Sequence, residues 1–116
     1  MNSELIIGER PFQGGLILDL EGDLTKQAEN ELLKDLGGDR GLTDGQALAL
    51  NLTRVAYMNS SGLALLIRLA QACLQAGVVL FAYGVSAHYQ KMFRLIGLTE
   101  LIVIDPDEYA FKLRFQ

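Results

Sequence analysis

Two nearly unbroken apolar runs, Ala47 to Leu52 and Val78 to Tyr83, flank an amphipathic stretch from Ser60 to Ala76, and this spacing restricts the fold more than any other feature. Apolar runs without alternation are what strands look like when helices cover both faces of their sheet. The intervening stretch starts with the capping residues Asn59 and Ser60 and stops at Gly77, a residue suited to the left-handed position after a helix. A strand, a helix and a second strand in that order pair in parallel through a right-handed crossover.

The flanking sequence extends the same scheme. Leu5 to Ile7 and Leu16 to Glu21, separated by Pro11 to Gly15, read as a hairpin; in its second strand Leu16, Leu18 and Leu20 share one face, and Gly22 and Asp23 end it. Thr25 is a candidate cap for a helix from Lys26 to Leu36 carrying Ala28, Leu32, Leu33 and Leu36, with Gly37 as its stop. Gly37 to Gly45 reads as a surface loop. Ser86 caps a helix to about Ile96 with Tyr89, Met92, Phe93 and Ile96 as its stripe, and Gly97 ends it. Leu101 to Ile104 is a last strand, and Asp105 with Pro106 starts a helix bearing Tyr109, Phe111 and Leu113. The expected fold is a single α/β domain over residues 1–116, a mixed β-sheet with helices packed against it.

Composition narrows the function. A net charge of -4 disfavours nucleic acid and anionic membranes, which need clustered cations. Cys73 is the only cysteine, so no internal disulfide can form, as suits a reducing cytoplasm. The sequence opens without a signal-peptide pattern and holds no apolar run long enough to span a bilayer, so a soluble cytoplasmic protein is expected, with no direct membrane insertion. Gly37, Gly38, Gly41 and Gly45 lack the lysine and strand-to-helix setting of a phosphate-binding loop. His88 stands alone and reads as a partly buried structural residue, Cys73 as a core thiol, and Asp19, Glu21 and Asp23 as a solvated strand edge. No cofactor or metal set is identified, and an enzymatic reading lacks a partner group; a ligand-binding or catalytic domain is the least favoured reading.

The junction from Leu50 to Leu66 carries the most information. Asn59 and Ser60 expose free backbone N–H groups at the positive end of a helix. Projected at 3.6 residues per turn, Leu63, Leu66, Ile67, Ala70, Cys73 and Leu74 face the core, and Ser61 faces away above Leu65, Arg68, Ala72 and Gln75. A phosphoryl group on Ser61 would add roughly -1.5 to -2 charge and oppose a partner packed over that strip. On local chemistry alone, Asn59, Ser60 and Ser61 simply start a helix.

From Leu16 to about Tyr109 the chain resembles the STAS domain of bacterial anti-sigma factor antagonists. The matching residues are the Gly22, Asp23, Leu24 turn, the run Leu50 to Tyr57, the junction Asn59, Ser60, Ser61, Gly62, Leu63, then Gly84, Val85, Ser86 and Gly97, Leu98. The resemblance implies an antagonist that binds an anti-sigma serine kinase, is phosphorylated at Ser61, and is reset by a phosphatase, with nucleotide and magnesium belonging to the kinase. Its expected docking surface comprises Asp23, Leu24, Thr25, Asn59, Ser60, Ser61, Gly62, Leu65 and Arg68. Asn59, Asn51 and Thr25 depart from the family pattern, which often has acidic residues there. They favour a rival reading, a non-phosphorylated scaffold subunit of a stressosome or lipid-transport assembly. Self-association as a homodimer stays open.

Overall fold

The computed structural model describes residues 4–33 and 41–116. Its five strands are β1 (Ile6–Phe12), β2 (Gly15–Leu24), β3 (Ala47–Met58), β4 (Val79–Tyr83) and β5 (Val103–Asp105), and they lie side by side in chain order. The β1–β2 hairpin is antiparallel and every later pairing is parallel, which makes the sheet mixed as expected. The helices are α1 (Glu29–Leu32), α2 (Ser60–Ala76), α3 (Ala87–Leu95) and α4 (Glu108–Leu113). Among the described residues no helix is long and apolar enough to cross a membrane.

Strand side chains alternate between two cores, which is why β3 and β4 read as unbroken apolar runs. Leu18, Leu48, Leu50 and Leu80 face one side and pack with Leu66, Leu69 and Cys73 of α2 and Phe93 of α3. Ile17, Ala47, Ala49, Phe81 and Tyr83 face the other side under Phe111 of α4, with Phe12 and Phe115 against them. The rings of Phe12, Phe81 and Phe111 meet edge to face at 5.1 to 5.5 Å between centroids, a favoured aromatic geometry.

An ion network ties α4 to the hairpin. The Arg10 guanidinium donates to both carboxylate oxygens of Asp19, at 2.6 and 2.8 Å, and to both of Glu108, at 2.7 and 3.1 Å. The Tyr83 hydroxyl donates to Glu108 at 2.8 Å, and the Asn51 amide donates to Asp19 at 2.8 Å. Arg10 holds the Glu108 carboxyl at about 2, against an ordinary 4.5, and it also lowers Asp19. Burial, then the Glu108 carboxylate, pushes the Tyr83 hydroxyl up. Asp19 is therefore part of an internal clamp, which corrects its reading as a member of a solvated edge.

Several boundaries differ from the sequence reading. β2 continues through Gly22 and Asp23 to Leu24, and β3 continues to Met58, because the two strands pair along this whole length with bulges that absorb register shifts. Lys26–Ala28 is a 3-10 turn ahead of a short α1, and Thr25 makes no side-chain cap bond. Residues 34–40, which include the expected helix end at Leu36 and Gly37 and the first part of the expected loop, fall outside the described residues. Asp107 caps α4 through the Ala110 N–H, whereas Asp105 ends β5 and accepts from Arg114 at 2.8 to 3.2 Å. Of the apolar residues expected on α4, only Phe111 is buried, because the six-residue helix has one side on the sheet. Ile96 is similarly exposed beyond the end of α3, and His88 is exposed with its ring against Tyr89.

The clamp makes stability acid-sensitive. Glu108 titrates lower in the folded chain than in the unfolded one, so its contribution is complete above about pH 4.5 and is lost as pH falls toward about 2. Urea unfolding across that window should show falling stability in the parent chain and a shallower fall in Glu108→Gln. Equal slopes would remove Glu108 as a source of the acid sensitivity.

Candidate functional site

β2 and β3 are parallel, so their last residues lie together at one end of the sheet, with Leu24 beside Met58. Met58 is held from the other side: its N–H donates to the Tyr89 hydroxyl oxygen at 2.9 Å. The chain then turns at Asn59, whose N–H donates to the Leu24 carbonyl at 3.3 Å. The Asn59 side-chain oxygen accepts from the Gly62 N–H at 2.8 Å, and its carbonyl accepts from Leu63 at 2.9 Å. Asn59 is therefore the N-cap of α2, and Ser60 and Ser61 are its first two helical residues.

Gly62 fixes the aim of this helix start. A Cβ placed there would sit 2.0 Å from the Leu24 carbonyl oxygen, so only a residue without a side chain lets α2 rest directly on the end of β2. With Gly62 facing inward, Ser60 and Ser61 are exposed. Their N–H groups precede the first intrahelical bonds and belong to the positive end of the helix. The reading of Ser61 as an outward hydroxyl at that end agrees with its position.

The other expected surface residues divide into exposed and supporting groups. Arg68 is exposed and ion-paired with Glu29 of α1. Asp23 and Asn59 are half-buried, whereas Leu24, Thr25 and Gly62 are buried beneath the surface. Leu65 corrects the helical projection: it is completely buried, because the Lys26–Ala28 turn packs on α2 and seals that flank, with Ala28 and Leu32 in the same core. Leu74, projected into the core, is instead 68% exposed, bordered by Val79 and Leu101 along a shallow surface cleft.

Tyr57 is the surface residue that periodicity missed. It pairs with Asp23 in register and is 45% exposed. The register shift between Gly22 and Asp23 leaves Ala56 without a partner and turns Tyr57 outward. Nothing in the residue pattern marks that shift. Beside Tyr57, Asp23 and Thr25 line a cavity of about 510 Å3 together with Glu4, Leu5, Ile7 and Glu31. Among the described residues no cluster of histidine, cysteine or carboxylate side chains could hold a metal ion.

Two departures from the family pattern have local explanations. Asn51 faces the Asp19 carboxylate, to which its amide donates, while its carbonyl oxygen accepts from the Thr53 N–H at 3.1 Å and hydroxyl at 2.6 Å. A carboxylate at that position would repel Asp19. Asn59 supplies the same cap oxygen that an aspartate would, without the charge.

A family model described as Mlab, STAS domain, matches residues 12–104. No curated protein sequence matches the chain. The phosphorylated form of the Bacillus cell-fate determinant SpoIIAA has a similar structure, with a TM-score of 0.62 at 18% identity, covering 97% of this chain and 100% of that one. A serine-to-glutamate variant of RsbS from Moorella thermoacetica gives a TM-score of 0.71 at 14% identity over 90% and 89% of the two chains. A sulfate transporter family protein from Wolinella succinogenes gives 0.69 at 19% identity over 92% and 93%. At these identities the likeness shows the fold.

The helix start gives a mutational test. Gly62→Ala must displace α2 from the Leu24 carbonyl and should cost about 1–3 kcal/mol, as overpacking does. Asn59→Ala should cost about 1 kcal/mol and Asn59→Asp much less, since aspartate keeps the cap. Urea unfolding measures all three. A neutral Gly62→Ala would show that the approach to Leu24 is loose.

Proposed function

The chain belongs to the STAS domain family, and from that membership we propose that it is a non-enzymatic docking regulator of the anti-sigma factor antagonist type, working in the cytoplasm. The carrying observation is Ser61: an exposed hydroxyl on the first turn of α2, aimed outward by the contact of Gly62 with Leu24. The docking surface is the outward part of this junction. Asp23, Asn59, Ser60, Ser61 and Arg68 meet the partner, and Leu24, Thr25, Gly62 and Leu65 hold them in place from beneath.

The partner is an anti-sigma serine kinase. It transfers the γ-phosphoryl group of ATP to the Ser61 oxygen, the serine proton is lost, and ADP leaves. A phosphatase hydrolyses the ester and restores the hydroxyl. The phosphoserine adds roughly -1.5 to -2 charge. The helix start tolerates that charge, whereas a packed partner would have to desolvate it. Docking is therefore open with the free hydroxyl and closed with the ester.

A second reading is a permanently docked scaffold subunit that is never phosphorylated. Asn59 favours it, because the residue closes the cap without placing a carboxylate beside the serines.

Incubation with the cognate kinase and ATP, followed by mass spectrometry, should place one phosphate on Ser61. Ser61→Asp should weaken partner binding at least tenfold with unchanged thermal unfolding, and Ser61→Ala should bind as the parent does and accept no phosphate. If Ser61 stays unmodified while a control antagonist is phosphorylated, the switch is lost and the scaffold reading stands.

A further inference from the structure

The edge of the sheet opposite β1 is formed by β5. β5 is the outer strand on that side and pairs only with β4, so one row of its backbone N–H and C=O groups has no strand partner. A groove of about 430 Å3 lies beside it, lined by Gln90 and Arg94 of α3 with Thr99, Ile102, Val103 and Ile104; its apolar side chains on the α3 side are Ile102 and Ile104, whereas Val103 packs on the opposite side of the sheet. Three features thus converge: an open strand edge, an apolar floor and a cation.

Among the described residues the cation has no carboxylate partner. Arg10, Arg54, Arg68 and Arg114 each pair with a carboxylate, whereas Arg94 is exposed and pairs with none among the described residues. An exposed strand edge is completed by an extended main chain, which a helix does not offer. Successive side chains of such a segment point to opposite sides, so one set would enter the apolar floor. A carboxylate nearby would meet the Arg94 guanidinium in a charge-assisted hydrogen bond.

We propose that the groove between α3 and β5 binds an extended, acidic and apolar segment of a partner protein, which adds to the sheet as a sixth strand beside β5. This surface lies two strands away from β3 and does not include Ser61. It therefore works alongside the docking junction, and its occupancy is independent of the Ser61 switch.

The test selects a phage-displayed library of random heptapeptides against the whole chain, then titrates the synthesised enriched peptide into isotope-labelled protein. The expected peptide carries Asp or Glu among apolar residues. Its largest amide shifts should fall on Gln90 to Arg94 and Ile102 to Asp105, with new exchange protection on β5. Arg94→Glu, checked by its spectrum to be folded, should weaken binding about tenfold or more, and Ser61→Asp should leave it unchanged. The proposal is overturned by no enrichment, by shifts centred elsewhere, or by equal binding to Arg94→Glu. A failed switch at Ser61 would leave these readouts untouched.

Discussion

The first turn of α2 rests on the carbonyl oxygen of Leu24, and that contact sets the geometry of the candidate site. It is close enough to exclude any side chain at position 62. The same oxygen accepts the Asn59 N–H, so one backbone atom receives both the turn out of β3 and the inward face of the helix. Because the inner side of that turn is fixed, the outer side is fixed too. Ser61 gains a defined direction from a contact that its own side chain does not make.

That arrangement separates residues that display from residues that place. Leu24, Gly62 and Leu65 are buried, yet they support the exposed residues of the junction. In the proposed docking role, substituting them would act through position, while a phosphate or aspartate at 61 would act through charge. The distinction matters for reading mutants, since a loss of binding at a buried residue reports on the scaffold.

Much of this organisation was legible in the residue pattern. The apolar runs of β3 and β4 announced a sheet covered on both sides, and Asn59 and Gly77 marked the two ends of α2. What the pattern lacked was tertiary. Leu65 looked exposed because a helical projection assumes one buried stripe, whereas α2 is also covered along its flank by the turn before α1. Tyr57 was invisible because a bulge changes which side of the strand a residue occupies. Asp19 looked solvated because its partners are remote in sequence: Arg10, Asn51 and, through Arg10, Glu108.

The strands are stacked in the order in which they are synthesised, so each one leaving the ribosome can settle beside its predecessor without rearranging what is already in place. The contact between Arg10 and Glu108 is different, because it spans 98 positions. It can close only after nearly the whole chain has emerged. The segment that brings Glu108 also carries Phe111, whose ring covers the aromatic side of the sheet, so one late contact fastens both the ion network and the second core.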